Sequence, residues 1–264
     1  MLTVLYAFVG VTGALRRPEQ KCFGPVHVGL AILFLTGAMP LLVDGYRMTI
    51  LWSAEVVVLV ALGCQFRSKA LRDAGLVVLL LPVIRTILLD SQITREGYQW
   101  LVNSRGLSMP TVVAALYLCA YLYAGIRDRL DATETKNVEG LAALATILLF
   151  WVSSAEVWSL VGWQLGLDTW AQHFALSGVW IAFGVAFMAI GMVRDAPPFR
   201  FLALAMFAVT ALKVLCVDPL LTTSTYVPLI HHRVAPLLLI TALLYGLAAW
   251  HLVVKREDET EQKL

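Results

Sequence analysis

Charged side chains are scarce in this sequence. Asp, Glu, Lys and Arg together supply 14% of its 264 residues, against about 25% in an average soluble domain. Hydrophobic residues make up 59%, and the mean hydropathy is +0.78. Apolar runs such as 26–43 and 138–152 cannot all be buried in one water-soluble core, so the bilayer must act as solvent. The shortage of charge therefore excludes a soluble globular domain and a disordered chain. A net charge of +2 excludes a nucleic-acid binder held by bulk electrostatics.

Cysteine is equally sparse. Cys22, Cys64, Cys119 and Cys216 show neither CxxC spacing nor clustering in loops, which excludes a disulfide-stapled scaffold and leaves them as small hydrophobes. There is no glycine-rich phosphate loop, no nucleophile elbow and no HExxH pair. No cofactor is expected. The longest connections, 90–110, 127–137 and 218–235, are too short to hold a soluble catalytic domain. A signal-peptide pattern is also missing: 2–15 is apolar, but Arg16 and Arg17 follow it instead of preceding it.

What the chain does have is apolar sequence of membrane-spanning length. Measured against the roughly 20 residues a helix needs to cross the hydrocarbon, nine spans are predicted: 2–15, 26–43, 49–66, 71–89, 109–126, 138–161, 172–193, 199–217 and 234–254. Basic residues are retained on the cytoplasmic side. Of the 20 Lys and Arg, 14 fall on one face and 4 on the other, with Arg85 and Lys213 inside spans. The first residues are therefore expected outside and the polar tail cytoplasmic.

Sliding the sequence over itself by 128 residues aligns two halves. Trp52 meets Trp180, Gly63 meets Gly191, Arg72 meets Arg200, Asp90 meets Asp218, Tyr98 meets Tyr226, Arg105 meets Arg233 and Tyr117 meets Tyr245, while Arg85 faces Lys213. These are the rarer residues of an apolar chain, so duplication explains them better than chance. Four helices return the chain to the same side, so the two units should be parallel. The expected fold is an all-α polytopic membrane protein of about nine transmembrane helices. An extra N-terminal helix in 1–25 precedes a four-helix unit in 26–130 and a second in 131–256, and a cytoplasmic tail occupies 257–264.

The stretch LWSAEVVVLVALGCQFRSKALRDAGLVVLLLPVIRTILLDS, from Leu51, and its second copy, LSGVWIAFGVAFMAIGMVRDAPPFRFLALAMFAVTALKVLCVDPL, share a W-x-A, G, R, K/R-x4-D series. In this they resemble the recurring unit of a bacterial family of very hydrophobic membrane proteins, number 2339 among the domains of unknown function. Members commonly carry many such units, so the chain is similar to their C-terminal portion. The resemblance implies an envelope membrane protein and brings no agreed reaction or catalytic residues.

Charge inside a span is costly, so each intramembrane ionisable group needs a partner or a wet cavity. On the predicted topology Glu55, Arg85, Asp90, Glu156, Lys213 and Asp218 gather toward the outer leaflet. Arg85 and Lys213 have two readings: snorkelling to the interface, or lining a polar pocket with Glu55 and Glu156 that takes an anionic headgroup or lipid-linked sugar. The i, i+5 spacing turns Arg85 about 140° from Asp90 on a regular helix, so no direct pair is required. Glu55 can serve function or simply be protonated and hydrogen-bonded to a neighbour. Tyr98, Arg105, Tyr226, His231, His232 and Arg233 are candidate outer-loop contacts, either interfacial anchors or a lid. His231 and His232 point apart and need a third ligand such as His173 or Asp218, and a haem between His27 and His251 lacks repeat partners, so no metal is expected.

The function expected from these features is a non-enzymatic scaffold or accessory subunit of the bacterial inner membrane. It would bind membrane lipids and a protein partner or a second copy of itself, and no nucleic acid. The alternatives are a transporter or flippase-like protein, or an enzyme acting on a lipid-linked substrate. Inert inner-leaflet sequence, short loops and small residues such as Gly63, Gly184 and Gly191 favour the first.

Overall fold

A computed structural model describes residues 23–214, together with residues 5, 6, 8, 9, 12, 242, 245 and 246 of the flanking apolar segments. Among the described residues every regular element is helical. The helices are α1 (Phe23–Leu42), α2 (Tyr46–Gln65), α3 (Lys69–Arg85), α4 (Ser104–Ala124), α5 (Ala132–Ser159), α6 (Thr169–Val193) and α7 (Pro197–Leu212). Two helices widen at their C-terminal ends into five-residue π turns, α3 over Thr86–Asp90 and α5 over Leu160–Gln164, and α7 passes into π geometry at Lys213 and Val214.

Tyr46–Gln65, Ser104–Ala124, Ala132–Gln164 and Thr169–Val193 are each long and apolar enough to cross a membrane, and His27–Leu42 and Pro197–Leu212 are shorter apolar helices. All seven helices coincide with predicted spans. Of the first and ninth spans, 2–15 and 234–254, only residues 5, 6, 8, 9 and 12 and residues 242, 245 and 246 are described. Large apolar side chains stand exposed along these helices, among them Leu41, Val77, Tyr121, Ile147, Val193 and Phe201. In water such a surface would drive aggregation; in a bilayer it meets acyl chains. This is a membrane protein.

Helix starts differ from the predicted span starts, for a local reason. Hydropathy locates the apolar window, whereas a helix begins where a side chain can satisfy its free N–H groups. Asn103 Oδ1 accepts from Gly106 N at 2.8 Å, which starts α4 five residues before the predicted 109. Asp131 Oδ1 accepts from Thr133 N and Glu134 N at 2.9 and 2.7 Å, and Glu134 Oε2 reaches back to Asp131 N at 3.5 Å. This reciprocal capping box starts α5 at residue 132 instead of 138. With its π turn α5 runs for 33 residues, about 50 Å, well beyond a hydrocarbon core of about 30 Å.

The chain divides into two compact units, Met1–Val152 and Ser153–Leu264, the boundary falling within α5. In the first, α2 packs on α1, α3 and α4 around a core that includes Val56, Val60, Val112, Leu116 and Leu148. In the second, α6 packs on α7 around Ile181, Phe187, Ala203 and Phe207.

The corners α2–α3 and α6–α7 have the same construction. Each helix ends in a Schellman motif: Ser68 N bonds to Gly63 O and Arg67 N to Cys64 O, and Ala196 N bonds to Gly191 O and Asp195 N to Met192 O. The left-handed residue is Arg67 in one (φ 55°) and Asp195 in the other (φ 49°). A Cβ on Gly63 would stand 2.5 Å from Arg72 Cγ and 2.8 Å from its backbone N; on Gly191 it would stand 2.7 and 2.9 Å from the same atoms of Arg200. Only glycine admits the returning helix at this distance. Packing deeper in the two pairs differs in a compensated way. Val56 and Leu79 face each other's helices in the first core, and their 128-residue counterparts are Gly184 and Phe207, where a Cβ on Gly184 would lie 2.4 Å from the Phe207 ring.

Candidate functional site

The ionisable residues singled out by sequence fall in both units. In the first unit Arg85 and Asp90 lie where α1 gives way to α2 and α3 to α4, and Glu55 lies apart from them. The π turn is the key local feature. Ser91 N bonds to Thr86 O at 3.0 Å, five residues back, and an i→i+5 turn brings residues five apart onto one face. Arg85 Nε therefore comes within 3.7 Å of Asp90 Oδ1, and Arg85 Nη2 donates to Gly45 O at 3.0 Å. The regular-helix expectation that the pair points apart is corrected: the helix is not regular there.

Asp90 is buried. Its Oδ2 accepts a short hydrogen bond from Thr49 Oγ1, its backbone carbonyl accepts from Ser104 Oγ at 3.0 Å, and beside it Thr86 and Ser108 hydroxyls meet at 3.0 Å. Three segments, α2, the π turn and α4, are thus tied together by one Asp and the hydroxyls of Thr49, Thr86, Ser104 and Ser108. Transferring a lone Arg or Asp to a helix centre costs about 2.5–3.5 kcal/mol on insertion scales, and this mutual pairing offsets that cost.

Glu55 stands elsewhere in the same unit. It is 6% exposed, its Oε1 lies 2.8 Å from Thr36 Oγ1, and among the described residues its Oε2 has no hydrogen-bond partner. Arg85 meets Asp90 and not Glu55. One turn away, Trp52 Nε1 donates to Thr36 O at 3.1 Å. That carbonyl would ordinarily accept from residue 40, which is Pro40 inside α1 and has no N–H. The indole supplies the missing donor.

In the second unit Lys213, at the end of α7, donates from Nζ to His173 O and to Ser177 Oγ, each at 2.9 Å. Ser177 lies 128 residues after Thr49; the Thr49 hydroxyl donates to the Asp90 carboxylate, and the Ser177 hydroxyl accepts from the Lys213 ammonium. Trp180 Nε1 donates to Ser154 Oγ at 3.3 Å, as Trp52 does to the residue-36 carbonyl. The His173 ring lies edge-on to Trp158, 5.0 Å between centroids. Gln172 Nε2 takes the Trp158 carbonyl at 3.1 Å beside the second π turn. Glu156 is buried in α5.

Of the loop candidates, Tyr98 is half-buried after the 3-10 turn Arg95–Gly97. Arg105 is corrected from loop to helix: it lies in the first turn of α4 and is buried. Asp218, Tyr226, His231, His232, Arg233 and His251 lie outside the described residues. Cys64 and Cys119 are free thiols in the first unit, Cys119 buried. Among the described residues no group of three His, Cys, Asp or Glu side chains gathers as a metal site.

Sequence reasoning missed one buried ion pair. Arg72, counted only as a topology marker, is buried at the far end of the first unit, where its Nη2 meets Glu134 Oε1 at 2.7 Å, its Nε bonds to the same atom at 2.8 Å and its Nη1 donates to Gly63 O at 3.2 Å. Asp131 and Lys69 form an exposed pair beside it. The Lys69 ammonium and then the Glu134 backbone N–H hold the Asp131 carboxyl below its usual range, and the bond to Asp131 holds Lys69 above its own. The Asp-x-x-Glu spacing of 131–134 was the available signal. In the second unit Arg200 pairs with Asp195 at 2.8 Å.

No curated protein and no solved structure matches the chain. A family model described as "Predicted membrane protein (DUF2339)" matches residues 83–228, more than half of the sequence and inclusive of the π turn, α4 to α7 and both intramembrane cations. The chain belongs to this family of membrane proteins, number 2339 among the domains of unknown function.

Proposed function

We propose that the chain is a non-enzymatic multi-pass scaffold or accessory subunit of the bacterial inner membrane, binding lipid through its exposed apolar helices and a protein partner or second copy within the bilayer. In this reading nine spans form an extra helix and two parallel four-helix units, with the N-terminus outside and the tail inside. The matching Schellman corners, the two indole donors and the opening into π geometry at both Arg85 and Lys213 support the two-unit organisation.

The observation that carries the scaffold reading is how the intramembrane cations are used. Arg85 is engaged by Asp90 and Gly45, and Lys213 by His173 and Ser177. A pocket built to receive an anionic headgroup would keep these donors for its ligand; here Arg85 Nη2 and Lys213 Nζ donate to the protein's own oxygens, and the buried Arg85 Nε, 3.7 Å from Asp90 Oδ1, makes no hydrogen bond among the described residues. A transporter, flippase or lipid-linked-substrate enzyme is the rival, and it requires the outer-leaflet charges for turnover.

The two separate experimentally. Arg85→Ala, Glu55→Gln and Glu156→Gln are each made in the chromosomal copy, and membrane abundance and growth phenotype are compared. A scaffold tolerates at least one at unchanged abundance. If all three abolish the phenotype of the intact protein while abundance holds, the scaffold reading fails. Native mass spectrometry from mild detergent provides the second arm: a bare monomer without lipid or partner counts against it.

A further inference from the structure

We infer that Glu55 is a carboxylic acid and not a carboxylate: a proton-binding site at mid-depth in the first unit, its proton held by Thr36. This stands whether the chain scaffolds or transports. Glu55 is the tenth residue of the twenty in α2, about 14 Å along the axis from the first at 1.5 Å per residue. Its side chain is turned inward against α1.

Hydrogen-bond accounting around Thr36 carries the inference. Thr36 Oγ1 lies 2.9 Å from Ile32 O and 2.8 Å from Glu55 Oε1. A threonine hydroxyl has one hydrogen to donate and two lone pairs with which to accept. The Ile32 carbonyl can only accept. An ionised Glu55 can also only accept, and the two would compete for one hydrogen. A protonated Glu55 removes the conflict: its O–H donates to Thr36 Oγ1, and Thr36 donates to Ile32 O. Each short contact then holds one hydrogen. The second carboxyl oxygen, Oε2, is buried without a partner, which a neutral acid's carbonyl oxygen tolerates far better than half of a carboxylate does.

Among the described residues no cation pairs with Glu55. On the helices around it, α1 carries His27, nine residues from Thr36 and about 14 Å along the helix. Helix α2 itself carries Tyr46, Arg47 and Cys64. Helix α3 with its π turn carries Lys69, Arg72 and Asp73 at one end and Arg85 and Asp90 at the other; α4 carries Arg105, Tyr117, Cys119, Tyr121 and Tyr123, and Tyr6 packs against α1. The first-unit part of α5 carries Glu134, Lys136 and Glu139 near its start. Among the described residues the one polar contact of Glu55 is Thr36. The 128-residue counterpart of Glu55 is Phe183, so the site belongs to the first unit alone.

Dicyclohexylcarbodiimide partitions into lipid and adds to protonated carboxyls. The acid proton passes to a carbodiimide nitrogen, the carboxylate oxygen bonds to the central carbon, and the adduct rearranges to a stable N-acylurea with no atoms lost. The full chain in vesicles of phosphatidylethanolamine and phosphatidylglycerol at pH 7 is expected to be labelled at Glu55, mapped by peptide mass spectrometry, with that label gone in Glu55→Gln. No label on the folded wild type at pH 7, or labelling confined to pH values near the ordinary glutamate value of about 4.3, overturns the proposal. Infrared spectroscopy reads the same state without a reagent. A protonated-carboxyl C=O stretch is expected at pH 7, lost in Glu55→Gln and shifted in Thr36→Val, where the acid O–H has no hydroxyl to meet. Absence of that band from the wild type overturns the proposal even where a variant fails to accumulate.

Discussion

Replacing Glu134 with Ala removes the carboxylate that faces Arg72 from across the first unit, 62 residues away in sequence. The two side chains retain 7% and 5% of their exposure, and the guanidinium meets Glu134 Oε1 through two nitrogens. Removing one member of such a pair strands the other: breaking a buried pair typically costs about 3–5 kcal/mol, while replacing both members by apolar groups of similar volume is often neutral or better. Gly63 O still accepts from the stranded Arg72, which places Glu134→Ala near the lower end, about 3 kcal/mol. The double variant Arg72→Met, Glu134→Leu keeps a flexible stem over Gly63 and removes both charges. It should recover most of the loss, giving a coupling of about 2 kcal/mol or more in a double-mutant cycle. Unfolding in mixed micelles of a mild detergent and increasing sodium dodecyl sulfate, followed by tryptophan fluorescence, measures each leg. A Glu134→Ala loss below about 1 kcal/mol, or a double variant as unstable as the sum of the singles, would refute the claim that this pair is buried and dry.

Three further outcomes are expected. Trp52→Phe leaves the Thr36 carbonyl without the donor that Pro40 cannot supply, a loss of about 1–3 kcal/mol; adding Pro40→Ala restores a backbone N–H and should return part of it in the same unfolding assay. Gly184→Val drives a side chain into the Phe207 ring, an overpacking cost of about 1–3 kcal/mol, and Phe207→Leu should relieve it by recreating the Val56 and Leu79 combination. The Asp131 and Lys69 corner sets a pH window. The depressed Asp131 contributes stability above the unfolded value of about 3.9 and loses it as pH falls through its folded value, while the raised Lys69 contributes below about 10.4 and loses it as pH rises through its own. Asp131→Asn should therefore flatten the acid limb of melting temperature against pH relative to wild type; an unchanged limb would show that the pair contributes nothing.

Proline, capping residues and rare aromatics were legible as local signals. Pro40 marks an orphaned carbonyl wherever it sits in a helix, and Asp131 with Glu134 spells a capping box. Which partner answers each signal was not legible. Nothing in the sequence said that Trp52 would serve Thr36, or that Glu134 would turn one carboxyl oxygen to its own cap and the other to Arg72. The Arg85 and Asp90 spacing misled because it was read on a regular helix, and Arg105 was read as loop because apolar periodicity begins after it.

The sequence by itself determined the solvent, the helical class, the approximate positions of the seven described apolar helices and the family, because hydropathy and motif spacing are local properties that survive without knowing neighbours. Tertiary structure decided which charges are held by the protein and which oxygen holds each one. Helix geometry and helix neighbours set those distances: a π turn closes Arg85 on Asp90, two Schellman corners bring Arg72 and Arg200 onto glycines, and α1 lays Thr36 against Glu55. Pairing in a low-dielectric interior depends on contacts of about 3 Å, and only the packed chain fixes lengths of that order.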